Sequence, residues 1–173
     1  LADYCIDERN VFFLGRSRGS FASKYFGCHN EGRSLVGDLG GISTGSGPPA
    51  AEDCGPVPVL LGSALQDTTV PWGVYGEPAR DWWIQNNGCS TQSEIAADAQ
   101  AQVCTRHPEI GGCECLRYTG CDADFVQCTW NGTHTSGSPF DQVNTGWWLG
   151  EHANAAGGVV VPEAIFGSGF EGP

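Results

Sequence analysis

The chain of 173 residues contains no methionine and only eight lysine and arginine residues, against 20 aspartate and glutamate residues. The net charge of −12 argues against nucleic acid and anionic membrane surfaces as partners. No apolar run approaches the ~20 residues of a membrane-spanning helix, and residues 1–4 lack the basic and apolar regions of a signal peptide. What remains is an acidic chain long enough to bury the core of one domain.

Cysteine is abundant, with nine in the chain. The close pair is Cys113-Glu-Cys115 rather than C-x-x-C, and neither a second close pair nor a well-placed histidine completes a zinc set. We therefore expect disulfides and an oxidising compartment, secreted or periplasmic, with a zinc-stabilised module as the alternative. The spacing does not give the connectivity, and the odd number leaves one thiol free or paired elsewhere.

A strand, a tight turn and a helix are predicted between residues 11 and 28. The apolar run VFFL (11–14) leads into GRSRG (15–19), a G-x-S-x-G motif, and residues 20–28 continue as a helix. This order is typical of the nucleophile elbow of α/β-hydrolases. There, a turn too tight for side chains at its outer positions, Gly15 and Gly19, presents the serine at the positive end of a helix. Ser17 is therefore the candidate nucleophile.

A serine nucleophile needs a base to accept its proton and an acid to orient that base. In α/β-hydrolases the acid and then the histidine follow the serine along the chain. Asp67 comes shortly after the apolar strand VPVLL (57–61), where the acid belongs. Of the four histidines, His134 follows a predicted strand and lies in a glycine-bounded loop, where the base belongs. The alternatives are a solvated turn aspartate and an isolated surface histidine.

The remaining elements follow from periodicity and turn residues. A helix is predicted over 77–86, strands over 116–118 and 125–130, and a terminal helix over 140–152. Residues 94–103 have a helical composition. The stretch 30–56, rich in glycine, serine and proline, is predicted to be loop. The glycine-rich segment 153–173 is predicted to be a loose tail after a domain of residues 1–152.

In blocks from Cys5 to His134, the sequence resembles the secreted esterase family of feruloyl esterases and polyhydroxybutyrate depolymerases. The shared features are CID (5–7) before the elbow, DTTVP (67–71) around the acid, an aromatic helix ending in NGC (87–89), and Trp130 shortly before His134. The resemblance implies an α/β-hydrolase-like fold, with a partial parallel sheet flanked by helices and rich in disulfides. It also implies an irregular or strand-like conformation for 94–103.

By this resemblance Ser17 is the nucleophile, Asp67 the orienting acid and His134 the general base, and the backbone N–H of Arg18 supplies half of the oxyanion hole. Trp72 and Arg16 are the candidate substrate-binding residues, with a solvent-facing ion pair as the alternative for Arg16. Because the elbow begins at residue 15, we expect the chain to be the C-terminal portion of a longer catalytic domain. A circular permutation or a minimal fold is the alternative. The loop for the second oxyanion donor would precede the chain, and losing one such donor costs roughly 10²–10³ in rate. Absence of this loop therefore predicts weak or no activity for the isolated chain and also favours a non-catalytic module.

The implied activity is that of a serine carboxylesterase. Its substrates would be feruloyl or acetyl esters of plant cell-wall polysaccharide, or short hydroxyalkanoate polyesters. No metal or organic cofactor is expected, and the chain is expected to be a monomer. The alternative is a non-catalytic, degenerate esterase-like module that binds polysaccharide. Two departures from the family pattern favour that alternative: Ser63-Ala64 replaces His-Gly, and Ser20 replaces a small glycine or alanine.

Overall fold

The computed structural model describes residues 13–28, 41–44, 55–134, 139, 147–148 and 150–152. These residues form an α/β fold around a mixed sheet. Its strands are β1 (Phe13–Arg16), β2 (Gly41–Thr44), β3 (Val59–Ala64), β4 (Ser93–Ile95), β5 (Glu114–Tyr118) and β6 (Phe125–Trp130). The order across the sheet is β1-β2-β3-β6-β5-β4.

Helices follow the strands on both sides of the sheet. Helix α1 (Arg18–Cys28) begins directly after β1, and a π-helical segment (Trp72–Gly76) runs into α2 (Glu77–Asn86). After β4, the short α3 (Ala97–Ala99) continues as a second π-helical segment (Gln100–Thr105). Among the described residues, no helix combines the length and apolar character that crossing a bilayer requires.

The sheet is parallel in one half and antiparallel in the other. Strands β1, β2, β3 and β6 run parallel, whereas β5 and β4 pair antiparallel beyond β6. Every residue of β3 is buried, as expected for a central parallel strand that is covered on both faces. The predicted partial parallel sheet is therefore confirmed for four strands, and an antiparallel half is added to it, because a short connection joins β5 to its neighbour β6.

Two segments differ from what the sequence suggested. Strand β2 lies within the predicted loop 30–56, and it exists through its parallel pairing with β1 and β3 rather than through an apolar pattern of its own. Within 94–103, the helical composition is the better guide, since the strand ends at Ile95 and helix begins at Ala97. Of the predicted helix 140–152, residues 147–148 and 150–152 are helical, and the tail 153–173 lies outside the described residues.

Two apolar clusters cover the two faces of the sheet. On one face, Val59, Leu61 and Phe125 pack against Ala79 and Trp83 of α2. On the other face a second cluster packs β3 and β6 against the α3 region and the terminal helix; it includes Leu60, Val126, Ala99, Val103 and Trp148. The sheet is thus the middle layer of three, and its parallel strands β1, β2, β3 and β6 present their carboxyl ends at one edge.

Disulfides are confirmed for six of the cysteines, and they join elements around the antiparallel half. The bonds are Cys89–Cys121, Cys104–Cys113 and Cys115–Cys128. The close pair that raised the zinc alternative is divided between two of these bonds, so neither sulfur is a thiolate ligand. Within the described part of the chain, no group of His, Cys, Asp or Glu side chains is arranged to hold a metal ion. Three disulfides fit an oxidising, extracellular compartment.

Candidate active site

Ser17 occupies the turn between β1 and α1, in a backbone conformation that residues other than glycine rarely adopt. Its φ is +56°, and it is the only non-glycine residue of the described chain with a positive φ. A left-handed backbone costs an L-residue about 1–2 kcal/mol, so such a residue persists only where its surroundings impose it. The turn therefore presents one serine, with its side chain partly buried, between the end of a strand and the start of a helix.

A close approach between β1 and α1 produces this turn. A Cβ on Gly15 would lie 2.0 Å from the carbonyl oxygen of Gly19, so only glycine fits at the first outer position. At Gly19 itself, a Cβ would meet no atom of the described residues within 4 Å. The expectation that both glycines are sterically required is thus right for Gly15 and wrong for Gly19, because the second position faces outward from the turn.

Ser20 stabilises the turn from its buried side. It is fully buried, and both its backbone N–H and its hydroxyl donate to the carbonyl oxygen of Ser17, at 3.0 and 2.7 Å. The hydroxyl that departs from the family pattern is therefore accommodated by a hydrogen bond and does not force the helix away from the strand. The other departure, Ser63-Ala64, is buried at the end of β3.

Arg18 is the first residue of α1. The first four backbone N–H groups of an α-helix have no acceptor within the helix, and the helix dipole makes this end positive. The backbone N–H of Arg18 therefore belongs to a set of donors suited to an oxyanion beside Ser17. This is the position that the sequence predicts for one half of an oxyanion hole.

Asp67 follows β3 and is held by its own turn. Its Oδ1 accepts hydrogen bonds from the backbone N–H groups of Thr69 and Val70, both at 2.8 Å. Its Oδ2 lies 2.7 Å from Nδ1 of His134. Burial raises the pKa of Asp67, but the hydrogen bonds from Val70, His134 and Thr69 outweigh it and hold the pKa below 3.8. Asp67 is therefore a carboxylate at neutral pH.

The charge on Asp67 decides which nitrogen of His134 carries the proton. A carboxylate only accepts hydrogen bonds, so Nδ1 of the neutral imidazole must be the donor and Nε2 the acceptor. The two side chains are only 22% and 10% exposed, which protects the bond from competition with water. Oriented in this way, His134 can accept a proton at Nε2 while Asp67 stabilises the resulting imidazolium.

Adjacent strands bring Asp67 and His134 together. Beyond the paired strands β3 and β6, the ladder continues with bonds from Leu65 N–H to Trp130 O at 2.8 Å and from Gln66 N–H to Gly132 O at 3.1 Å. The two residues are 67 positions apart in the chain. Their contact therefore depends on β6 being the neighbour of β3.

Arg16 connects the elbow to the histidine loop. Its side chain is exposed, and its guanidinium donates a hydrogen bond to the backbone carbonyl oxygen of His134. The residue next to Ser17 thus contacts the main chain of the predicted base. Sequence reasoning missed this contact, and no local signal could have revealed it, since the two residues are 118 positions apart.

Trp72 is the first residue of the π-helical segment that follows the Asp67 turn. Its ring is partly exposed, and the guanidinium carbon of Arg80 lies 5.7 Å from the ring centroid. In the same segment Tyr75 makes an edge-to-face contact with Phe21 of α1, at 6.0 Å between centroids. Substrate binding by Trp72 stays a prediction.

The structure thus places Asp67 against His134, and places the side chain of Arg16, the neighbour of Ser17, against the main chain of the same histidine. No family model and no curated protein matches the chain.

Proposed function

We propose that this chain is a serine hydrolase that cleaves carboxylic esters with Ser17, His134 and Asp67. The observation that carries the proposal is the left-handed serine between β1 and α1, connected through Arg16 to a histidine that a partly buried carboxylate orients. A serine in a strained backbone conformation, on a turn whose neighbouring residue contacts the segment of an oriented histidine, suits activation of its hydroxyl as a nucleophile.

The proposed reaction proceeds through an acyl-enzyme. Nε2 of His134 takes the hydroxyl proton of Ser17 as its oxygen attacks the ester carbonyl carbon. The backbone N–H of Arg18 and the positive end of α1 stabilise the oxyanion that forms. The C–O bond to the alcohol then breaks, and His134 returns the proton to the leaving alcohol. Water, activated by the same histidine, hydrolyses the acyl-enzyme and restores Ser17.

The substrate class rests on the sequence resemblance, which favours a secreted enzyme acting on feruloyl or acetyl esters of plant polysaccharide, or on short hydroxyalkanoate polyesters. The aromatic side chains Phe21, Trp72 and Tyr75 lie on the segments that follow Ser17 and Asp67. Partly exposed rings in this position suit an aromatic or aliphatic acyl group. No metal or organic cofactor has a step in this reaction.

The test is labelling of the folded chain with a fluorophosphonate probe, followed by peptide mapping of the adduct. The probe reports activation of the serine without requiring the natural ester to be known. We expect an adduct on Ser17, none in Ser17→Ala, and labelling of His134→Gln slowed by about 10²–10⁴-fold, the usual contribution of a general base. Turnover of p-nitrophenyl acetate should be lost in parallel.

A folded chain that gives no adduct on Ser17 would refute the proposal. Retention on insoluble xylan, unchanged by Ser17→Ala, would then favour the non-catalytic polysaccharide-binding module. The heat-denatured chain is the control for adventitious labelling, because activation of Ser17 requires the tertiary contact between Asp67 and His134.

A further inference from the structure

Arg16 is placed to do something other than bind substrate. It is the last residue of β1, it directly precedes Ser17, and its guanidinium donates to the carbonyl oxygen of His134. A guanidinium is permanently charged, and its hydrogen bond to a carbonyl is stronger than one between neutral groups. This contact joins the two segments that carry the nucleophile and the base.

The need for such a connection follows from the strand order. Strands β2 and β3 separate β1 from β6, so about 14 Å of sheet edge lies between the elbow and the end of β6, at about 4.8 Å per strand. The histidine loop must extend across this edge for Nε2 to approach Ser17. The chain therefore requires contacts that hold the loop at the β1 side.

The hydrogen bonds between the histidine loop and the end of β3 hold His134 near Asp67, not near Ser17. The backbone bonds from Leu65 and Gln66, together with the carboxylate of Asp67, hold the histidine loop against the end of β3. They set the position of His134 relative to Asp67. The distance from His134 to Ser17 depends on contacts with the elbow, and Arg16 supplies one of them.

We infer that Arg16 is a positioning residue that sets the separation of Ser17 and His134 through the main chain of His134, an inference that rests on the proposed function. It acts on the proton-transfer step without touching the ester. A guanidinium directed to the His134 carbonyl is turned toward the protein, whereas binding of a substrate carboxylate requires it to turn toward the ligand. The two roles therefore predict different kinetics.

The test compares Arg16→Ala, Arg16→Lys and the control Arg106→Ala, which removes an exposed arginine at the end of the second π-helical segment. Kinetics are measured with p-nitrophenyl acetate, which is neutral, and with mono-p-nitrophenyl succinate, which carries a carboxylate. We expect kcat of Arg16→Ala to fall by on the order of 10²-fold with both esters, the usual effect of a displacement of about 1 Å, while KM changes little. Arg16→Lys should recover part of kcat, and Arg106→Ala should match the parent chain.

A second measurement shows whether Arg16→Ala also breaks the hydrogen bond between His134 and Asp67. The proton on Nδ1 of His134, observed by NMR, reports the hydrogen bond to Asp67. It should remain in Arg16→Ala, because that bond is held from the β3 side. Its disappearance would show that Arg16 supports the loop as a whole and would overturn a role confined to the separation of Ser17 and His134. If Arg16→Ala does not fold, Arg16→Lys and Arg16→Gln carry the same comparison.

The outcomes separate this inference from the proposed function. An active parent chain whose Arg16 variants keep their kcat would refute positioning and leave the triad standing. A rise in KM confined to the succinate ester, with kcat unchanged, would overturn positioning in favour of substrate binding by Arg16. A folded parent chain without a Ser17 adduct would refute the proposed function and this inference with it.

Discussion

Replacing Asn87 should weaken the connection between α2 and the sheet. Asn87 directly follows α2 and is fully buried. Its Oδ1 accepts from Val57 N–H at 3.3 Å, and its Nδ2 donates to Val57 O at 2.7 Å and to Ala123 O at 3.2 Å. One amide thus joins the end of the helix to the chain entering β3 and to the chain entering β6.

The size of the effect follows from the groups left behind. Asn87→Ala removes the partner of the buried N–H and carbonyl of Val57 and of the partly buried carbonyl of Ala123, at a cost of about 1 kcal/mol each. We therefore expect the free energy of unfolding to fall by about 3 kcal/mol. For a domain of this length such a loss lowers Tm by roughly 6–12 °C.

The neighbouring residue supplies a matched control. Asn86 has the same side chain and donates to Gly55 O at 2.8 Å, but it is partly exposed, so its loss should cost only about 1 kcal/mol. The bond that Asn86 also donates to Asn87 Oδ1, at 3.0 Å, is lost in both variants and does not distinguish them. Denaturant unfolding of both alanine variants, with the disulfides intact, gives the two free energies. If Asn86→Ala and Asn87→Ala unfold at the same midpoint with the same denaturant dependence, the assignment of Asn87 as a buried connection is wrong.

Two further predictions concern the elbow and the ion pairs that Asp124 makes with Arg117 and His152. Gly15→Ala should abolish phosphonate labelling, because its Cβ would lie 2.0 Å from a backbone oxygen. Gly19→Ala should keep the labelling, because its Cβ would meet no described atom within 4 Å. Equal losses of labelling in the two variants would contradict the steric account. Burial raises the pKa of Asp124, but hydrogen bonds from His152 and Arg117 lower it below 3.8. A depressed pKa contributes stability above the unfolded value near 3.9 and loses it as the pH falls toward the folded value. Asp124→Asn should therefore lose less stability than the parent chain between pH 7 and pH 3 in urea unfolding, and an identical loss would refute the coupling.

Predictions from the sequence succeeded where the signals were local. The helix over 77–86 has the bounds predicted for it, with Pro78 in its first turn and Gly88 at φ +62° after its end. Strand β6 likewise has its predicted bounds. Strand β2 was missed because four residues with a single large apolar side chain become a strand only between β1 and β3. The sequence did not predict the antiparallel half, because the direction of a strand within a sheet depends on the strand with which it pairs.

The sequence by itself determined the local conformations and named the candidate residues, since a glycine-bounded turn after an apolar strand depends on adjacent residues alone. It therefore identified Ser17, Asp67 and His134 as candidates without bringing them together. Only the tertiary structure decided that Asp67 contacts His134, that Arg16 contacts the same residue from the elbow, and how the six described disulfide cysteines pair. Those contacts join residues as far as 118 positions apart. They exist because the strand order makes distant segments neighbours at one edge of the sheet.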